Sequence, residues 1–239
     1  MDIYIVNEVP AGEGGYDAAG LDRLVEALQA QLIQDWAPAH ERQPPLLHIA
    51  ATEAEVDPAS PLMVGLLHAD QAGVLGYHTL TPKGRIYSPV FWAPVRDNGG
   101  DLWTGATGYS SVWSHETLEL ASNPLVCLMC DRSDGQSEEP AEVCDRVEGD
   151  SYETKDHPGV GLSNFLYPRA FADGTQGPPY DHMRLLQSRD GMTPGGYVSI
   201  RTGGPAGPYT QVFGDKMPAY RRAQICNPHP ASRSARRRA

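Results

Sequence analysis

SSVWSHETLELASNP, residues 110–124, carries His-Glu-x-x and then Glu119, where a zinc-protease signature would place a second histidine. His-Glu-x-x-His on a helix supplies two metal ligands on one face and a general base beside them. With Glu119 in the fifth position, the run is either a metal-holding helix with a substituted ligand or an ordinary amphipathic helix. Residues four apart on a helix share a face, so His115 and Glu119 can grip one ion from the same side. Glu116 is rotated by roughly 100° from His115 and can face a metal-bound water. Carboxylate oxygen is an acceptable zinc ligand, and it makes the set harder, which opens it to other divalent ions.

The helix is predicted from about Ser110 to Ser122, and Asn123-Pro124 ends it. Asn123 reads first as the helix C-cap and second as a group behind the ligands. A third protein ligand is sought downstream, in EEPAEVCDRVEGDSYE (138–153). Glu142 and Asp145 are three apart, so one can ligate while the other supports a histidine from behind. Glu138, Glu139 and Glu148 read as a solvated charge run.

Upstream, DIYIVNE (2–8) has the β-branched and aromatic content of a strand. Asp17 to Trp36 places Leu21, Leu24, Val25, Leu28, Leu32 and Trp36 at helical spacing, with Pro38 expected to end the element. LLHIAAT (46–52) and PLMVGLLHA (61–69) read as strands. GVLGYHTLT (73–81) and RIYSPVFWA (85–93) flank Pro82-Lys83-Gly84 and read as a pair joined by a turn. After Cys130 regular structure thins to loops, with short strands expected near Val143 and over Tyr197–Ile200. The 25 glycines and 21 prolines suit such a loop-rich half.

Hydrophobic residues at 40% and charged residues at 21% are ordinary for a soluble globular chain of 239 residues. No apolar run approaches the roughly 18 residues a membrane helix needs, so no membrane partner is expected. MDIYIVNEVP lacks a basic n-region and argues against a signal peptide. The net charge of −11 argues against nucleic acid as the main partner, except through the arginine-rich end that includes SRSARRRA. That end, 221–239, reads as a solvated tail. Cys127, Cys130, Cys144 and Cys226 do not make a disulfide framework in a chain this long. Cys127 and Cys130 have C-x-x-C spacing without a second pair, and LVCLMC reads as a buried apolar run.

The order strand, helix, strands, helix, with His-Glu-x-x on the second helix, resembles the zincin fold of metallopeptidases. SHETLELASNP, EVCDRVEGDSYE and GVGLSNFLYPRAF also resemble a family of bacterial and phage proteins. Its members carry S-H-E-x-x-E-x-x-x-D-P, E-x-C-D-x-V-E-x-x-x-Y and V-S-N-F-x-x-P-x-x-F. The resemblance extends to DQAGVLGYHTLTPKG, TPGGYVSI and the arginine-rich C-terminus. It implies His115 and Glu119 as metal ligands, Glu116 as base, and Glu142 with Asp145 as the downstream acidic pair. The family's aspartate before proline is Asn123 here.

The expectation is therefore an α+β, zincin-like chain with a mixed twisted sheet, two main helices and an irregular C-terminal half. Residues 1–220 would form one domain (1–124 sheet and active-site helix, 125–220 loop-rich half), followed by a basic tail. His115, Glu119 and Glu142 would hold a divalent metal, most simply zinc. Glu116 would activate the bound water against a peptide or protein substrate. Asp145, His78, Tyr152 and Asn123 are candidates to support the ligands from behind or to touch the substrate. His78 would lie on a strand leading to the site, and Tyr152 would donate to a developing oxyanion. Asp181-His182 is a weaker ligand option. The alternative is a non-catalytic structural or binding protein on the same scaffold, such as a phage virion or assembly component with a protein assembly partner. A non-haem iron site ranks last, since the usual facial triad has two histidines. Location would be cytoplasmic, or in a virion if phage-encoded.

Overall fold

The computed structural model describes residues 1–70, 74–172 and 177–216. The basic tail, Cys226 and the first residue of the GVLGYHTLT strand lie outside them. The architecture is mixed α+β. A five-stranded sheet is built from β1 (Asp2–Asn7), β2 (Leu46–Ile49), β3 (Leu62–Leu66), β4 (Thr79–Leu80) and β5 (Ile86–Phe91). Its order is β2-β1-β3-β5-β4, with the first four strands parallel and β4 antiparallel to β5 at the edge. A four-stranded antiparallel sheet, β11-β10-β7-β6, is formed by β6 (Met129–Asp131), β7 (Ser137–Pro140), β10 (Tyr197–Thr202) and β11 (Tyr209–Phe213). A third, two-stranded piece pairs β8 (Ser151–Tyr152) with β9 (Leu162–Ser163).

Between β1 and β2 runs α1 (Ala18–Gln31), whose N-cap Asp17 accepts the Gly20 N–H at 2.7 Å. Pro38 does not end this helical stretch. Leu32–Trp36 winds as a π-type turn in which the Ala37 N–H reaches the Leu32 carbonyl, and α2 (Ala37–His40) continues through Pro38. At the start of the new segment the missing proline N–H has no obligatory partner. The stretch stops instead at Glu41, which is left-handed at φ 52°.

The strand expected over 85–93 stops at Phe91, and α3 (Trp92–Asp97) follows it directly. No strand forms at Val143; the chain there is a turn between β7 and the short 3-10 turn Asp145–Val147. LVCLMC is not a buried run either. Leu125 is 47% exposed, Leu128 is 46% exposed, and Cys127 is exposed as a free thiol. The chain leaves the core once Asn123 and Pro124 have stopped the preceding helix.

That helix, α4 (Tyr109–Ser122), is buried at all of its positions. An amphipathic surface helix would show a solvated face, and this one has none. One side, with Val112, Trp113 and Leu120, packs on Ile3, Ile5 and Met63 of the large sheet and on Leu24 and Leu28 of α1. The other side, with Leu118 and Ala121, packs on Val143, Cys144 and Phe165 of the C-terminal half. Close approach to the sheet requires Gly65 in β3: a Cβ there would lie 2.8 Å from the Trp113 ring and 3.0 Å from the Tyr109 hydroxyl. The hydroxyl-bearing residues of the helix find partners in neighbouring elements and in its own backbone. Ser114 donates to Gln31 Oε1 at 2.7 Å and accepts from the Ser163 N–H at 2.9 Å, joining α1, α4 and β9.

The acidic run 138–148 departs from the solvated reading. Glu139 is 2% exposed, with Arg132 Nη1 at 2.8 Å and Arg146 Nη2 at 3.4 Å. It sits on β7, which has neighbours on both sides, and burial forces a charge there to be paired. Glu138 pairs with Arg201 across β7 and β10. Arg146 also donates to the carbonyls of Ala170, Gly191 and Arg189, which pins the turn that carries Asp145.

Candidate metal centre

Because α4 is enclosed on every side, its polar residues at 115, 116 and 119 enter the interior together. His115 is 7% exposed, Glu116 2% and Glu119 0%. The helix repeat brings His115 Nε2 to 3.1 Å from Glu119 Oε1. The pinned turn after β7 then adds Asp145, whose Oδ1 lies 3.4 Å from His115 Nε2. Their ligand atoms lie within 4.8 Å of one another, close enough to hold one ion.

A second trio adjoins the first. His78 precedes β4 rather than lying within a strand, and its side chain has no exposed surface. Its Nδ1 is 3.4 Å from Glu119 Oε2 and 3.5 Å from Glu116 Oε2, and His78, Glu116 and Glu119 also meet the spacing for one ion. On the far side of the ring, Nε2 is 3.2 Å from the Asn123 carbonyl oxygen and 3.6 Å from Glu142 Oε2. The downstream acids thus exchange the places expected of them: Asp145 faces His115, and Glu142 faces His78.

The local electrostatics follow from burial and charge. Burial pushes both imidazoles down, but neighbouring carboxylates outweigh it. Glu142, Glu116 and Glu119 raise His78 to about 10, and Glu119, Asp145 and Glu116 raise His115 to about 10. Nitrogen and carboxylate donors converging in a buried pocket fit a divalent cation, and the structure thus offers buried His, Glu and Asp groups able to hold one.

Asn123 caps α4. Its N–H donates to the Glu119 carbonyl at 2.7 Å, and its Oδ1 accepts the Cys127 and Leu128 N–H groups at 3.2 and 3.1 Å. The side chain therefore serves the turn, while the carbonyl orients His78. Tyr152 lies against α1, donating to Asp35 Oδ2 at 2.7 Å and accepting from Gln31 at 3.2 Å. Burial, then the Asp35 charge, pushes its phenol up, and its proton is committed to that carboxylate. Asp181 is fully buried with Asn164 Nδ2 at 2.8 Å, and it accepts the Leu186 N–H, also at 2.8 Å. His182 stacks on Phe165. Neither belongs to the two trios.

A cleft with about 350 Å³ of empty space, part of it open to solvent, reaches the cluster. Gly76, Ser111, His115, Glu116, Glu148 and Tyr197 line it, so the members of the two trios that it reaches are His115 and Glu116. Gly76 is needed at the rim: a Cβ there would lie 3.0 Å from both Cγ and Oε1 of Glu116. It also bridges to Val90 in β5, which places the segment leading into edge strand β4 beside the helix.

In the sequence His78 is only a secondary candidate, and nothing there marks the pairing of Glu139 with two arginines. No spacing rule links position 78 to 115, because the sheet order alone brings them together. No family model, curated protein or solved structure matches this chain.

Proposed function

We propose that this protein is a metal-dependent hydrolase of peptide or related amide bonds, on a zincin-like frame. The observation that carries the reading is the buried set His115, Glu119 and Asp145 with Glu116 beside it at the cleft. The order strand, helix, strands, helix and the edge strand β4 next to the cluster support the zincin-like assignment. Zinc is the ion we assign, since it accepts imidazole and carboxylate in variable proportion.

A divalent ion held there would polarise the scissile carbonyl and acidify a water beside it. His115 and Glu119, fixed on one helix face, and Asp145, fixed by the Arg146-pinned turn, supply the ligands without large rearrangement. Glu116 lines the cleft and takes the proton of the attacking water, then returns it to the leaving amine. Gly76 leaves room for that carboxylate. An extended substrate can lie along β4, whose outer edge pairs with no strand among the described residues.

Glu116→Gln tests the mechanism. The variant should keep the ion between His115, Glu119 and Asp145, at least one equivalent by elemental analysis of purified protein, and lose hydrolysis of a fluorescence-quenched peptide library by at least about 10²-fold. Undiminished turnover would overturn the assignment of the base. Protein that binds no metal and cleaves nothing would favour a binding or assembly scaffold instead.

A further inference from the structure

We propose that the cluster holds two divalent cations, with the Glu119 carboxylate bridging them. The first lies between His115, Glu119 and Asp145, and the second between His78, Glu119 and Glu116. The first position rests on the hydrolase reading above; the second stands on its own geometry.

Glu119 divides its two oxygens between the two imidazoles. Oε1 is 3.1 Å from His115 Nε2, and Oε2 is 3.4 Å from His78 Nδ1. The two trios that satisfy the spacing for an ion share Glu119 alone. One ion cannot use both histidines at that spacing, whereas two ions on the opposite oxygens of one carboxylate can. Carboxylates in this position are the usual link in centres whose metals lie about 3.5–4 Å apart.

His78 is already oriented for the task. Its Nε2 faces the Asn123 carbonyl at 3.2 Å, and a carbonyl can only accept, so the proton belongs on Nε2. That leaves Nδ1, fully enclosed, directed at Glu119 Oε2 at 3.4 Å and Glu116 Oε2 at 3.5 Å. A cation between them would face one imidazole nitrogen and two carboxylate oxygens, donor types that divalent ions accept. A ligand histidine whose other nitrogen donates to a backbone carbonyl is a common arrangement at metals.

Charge favours the second ion. Glu116, Glu119, Glu142 and Asp145 are each no more than 3% exposed. Within the cluster, four carboxylates face two imidazoles. The four carboxylates carry up to four negative charges, of which one divalent ion offsets two and two ions offset all four. Uncompensated buried charge is costly, so the neutral arrangement wins.

The second ion draws on Glu116, the carboxylate assigned as base. Filling that position should therefore suppress turnover by about tenfold or more, given what a general base contributes.

Titration of the metal-stripped full chain with Mn2+ tests the proposal. Two equivalents are expected, and the bridge should give the electron paramagnetic resonance signal of a spin-coupled pair. His78→Gln should bind one equivalent, lose the coupled signal and keep its far-ultraviolet circular dichroism. If that variant fails to fold, the wild-type stoichiometry and coupling decide alone. Saturation at one equivalent, or two without coupling, overturns the bridge. One equivalent with turnover sensitive to Glu116→Gln leaves the hydrolase intact. Two coupled equivalents with turnover that requires both would keep the bridge and remove Glu116 from the role of base. Zero equivalents would overturn both readings.

Discussion

Gly76 is the residue on which the position of Glu116 most visibly depends. Its backbone does not need glycine's conformational range, but the space above it is taken by the Glu116 side chain at 3.0 Å. Gly76→Ala should therefore fold with little change in melting temperature while displacing that carboxylate by a few tenths of an ångström or more. A misplacement of about 1 Å can cost about 10²-fold in rate, so a smaller but measurable loss of kcat is expected. Parallel measurement of kcat and thermal melting separates the two effects: loss of stability without loss of turnover would deny the positioning role. His115, Glu116 and Glu119 were legible in the chain because helical spacing is a local rule. Asp145 against Glu142 was not, because three-residue spacing in a non-helical turn does not say which side chain faces inward. The ladder between β6 and β7 and the grip of Arg146 on three carbonyls make that choice.

Among the elements, α4 departs furthest from its expected character. Its ends were predictable within a residue, since Asn123-Pro124 stops it and Gly108 precedes it. Its burial was not, because Ser110, Ser111, Ser114, Thr117 and Ser122 give a helix that looks half-solvated when read alone. Each of these hydroxyls has a partner. Ser110 donates to the Gly161 carbonyl at 2.7 Å, Thr117 to the Trp113 carbonyl at 2.7 Å, and Ser122 accepts from Trp36 Nε1 at 3.0 Å. Ser114→Ala should cost about 1–3 kcal/mol, because Gln31 Oε1 and the Ser163 N–H each lose a buried partner. Urea unfolding measures it, and a change below about 0.5 kcal/mol would mean that the seam rearranges freely. Trp113→Ala at the sheet contact should cost more, about 3–5 kcal/mol, by leaving a cavity under the helix.

The short α2 adds a pH dependence. His40 stacks on Trp36 with ring centroids 4.8 Å apart, and its Nδ1 is 3.1 Å from the Trp36 carbonyl. Burial, aided by the Arg42 charge, lowers it from 6.5 to about 4, against the pull of that carbonyl. The unfolded chain therefore binds the proton more readily than the folded one between those values. Stability from His40 is complete above about pH 6.5 and is lost as pH falls toward about 4. Urea unfolding at several pH values, compared with His40→Gln, should show a shallower acid slope in the variant. Equal slopes would remove His40 as the cause.

For the whole molecule, the cluster joins halves far apart in sequence. His78 comes from the approach to an edge strand, His115 and Glu119 from the central helix, and Glu142 and Asp145 from the turn after β7. A bound cation would tie these segments together, so it should stabilise the fold by mass action. At free metal about a thousand times the dissociation constant, the gain is about 4 kcal/mol. Thermal melts with and without a chelator should differ accordingly, and identical melts would count against tight binding in the folded state. No helix of the described residues is long and apolar enough to cross a membrane.

The sequence by itself determined the first strands, the two long helices and the three residues of His-Glu-x-x-Glu. Period-two and period-3.6 patterns, caps and breakers act between near neighbours and need no knowledge of the rest of the chain. Only the tertiary structure decided that α4 has no solvated face, that Glu139 is a buried ion-pair partner, and that LVCLMC is half out of the core. It alone brought His78 to Glu119. Sheet order and the packing of a second layer over the helix set those facts, and both arise from contacts between residues tens of positions apart. SHETLE therefore reads locally as one possible ligand pair and, once enclosed, as the shared wall of two adjoining sites.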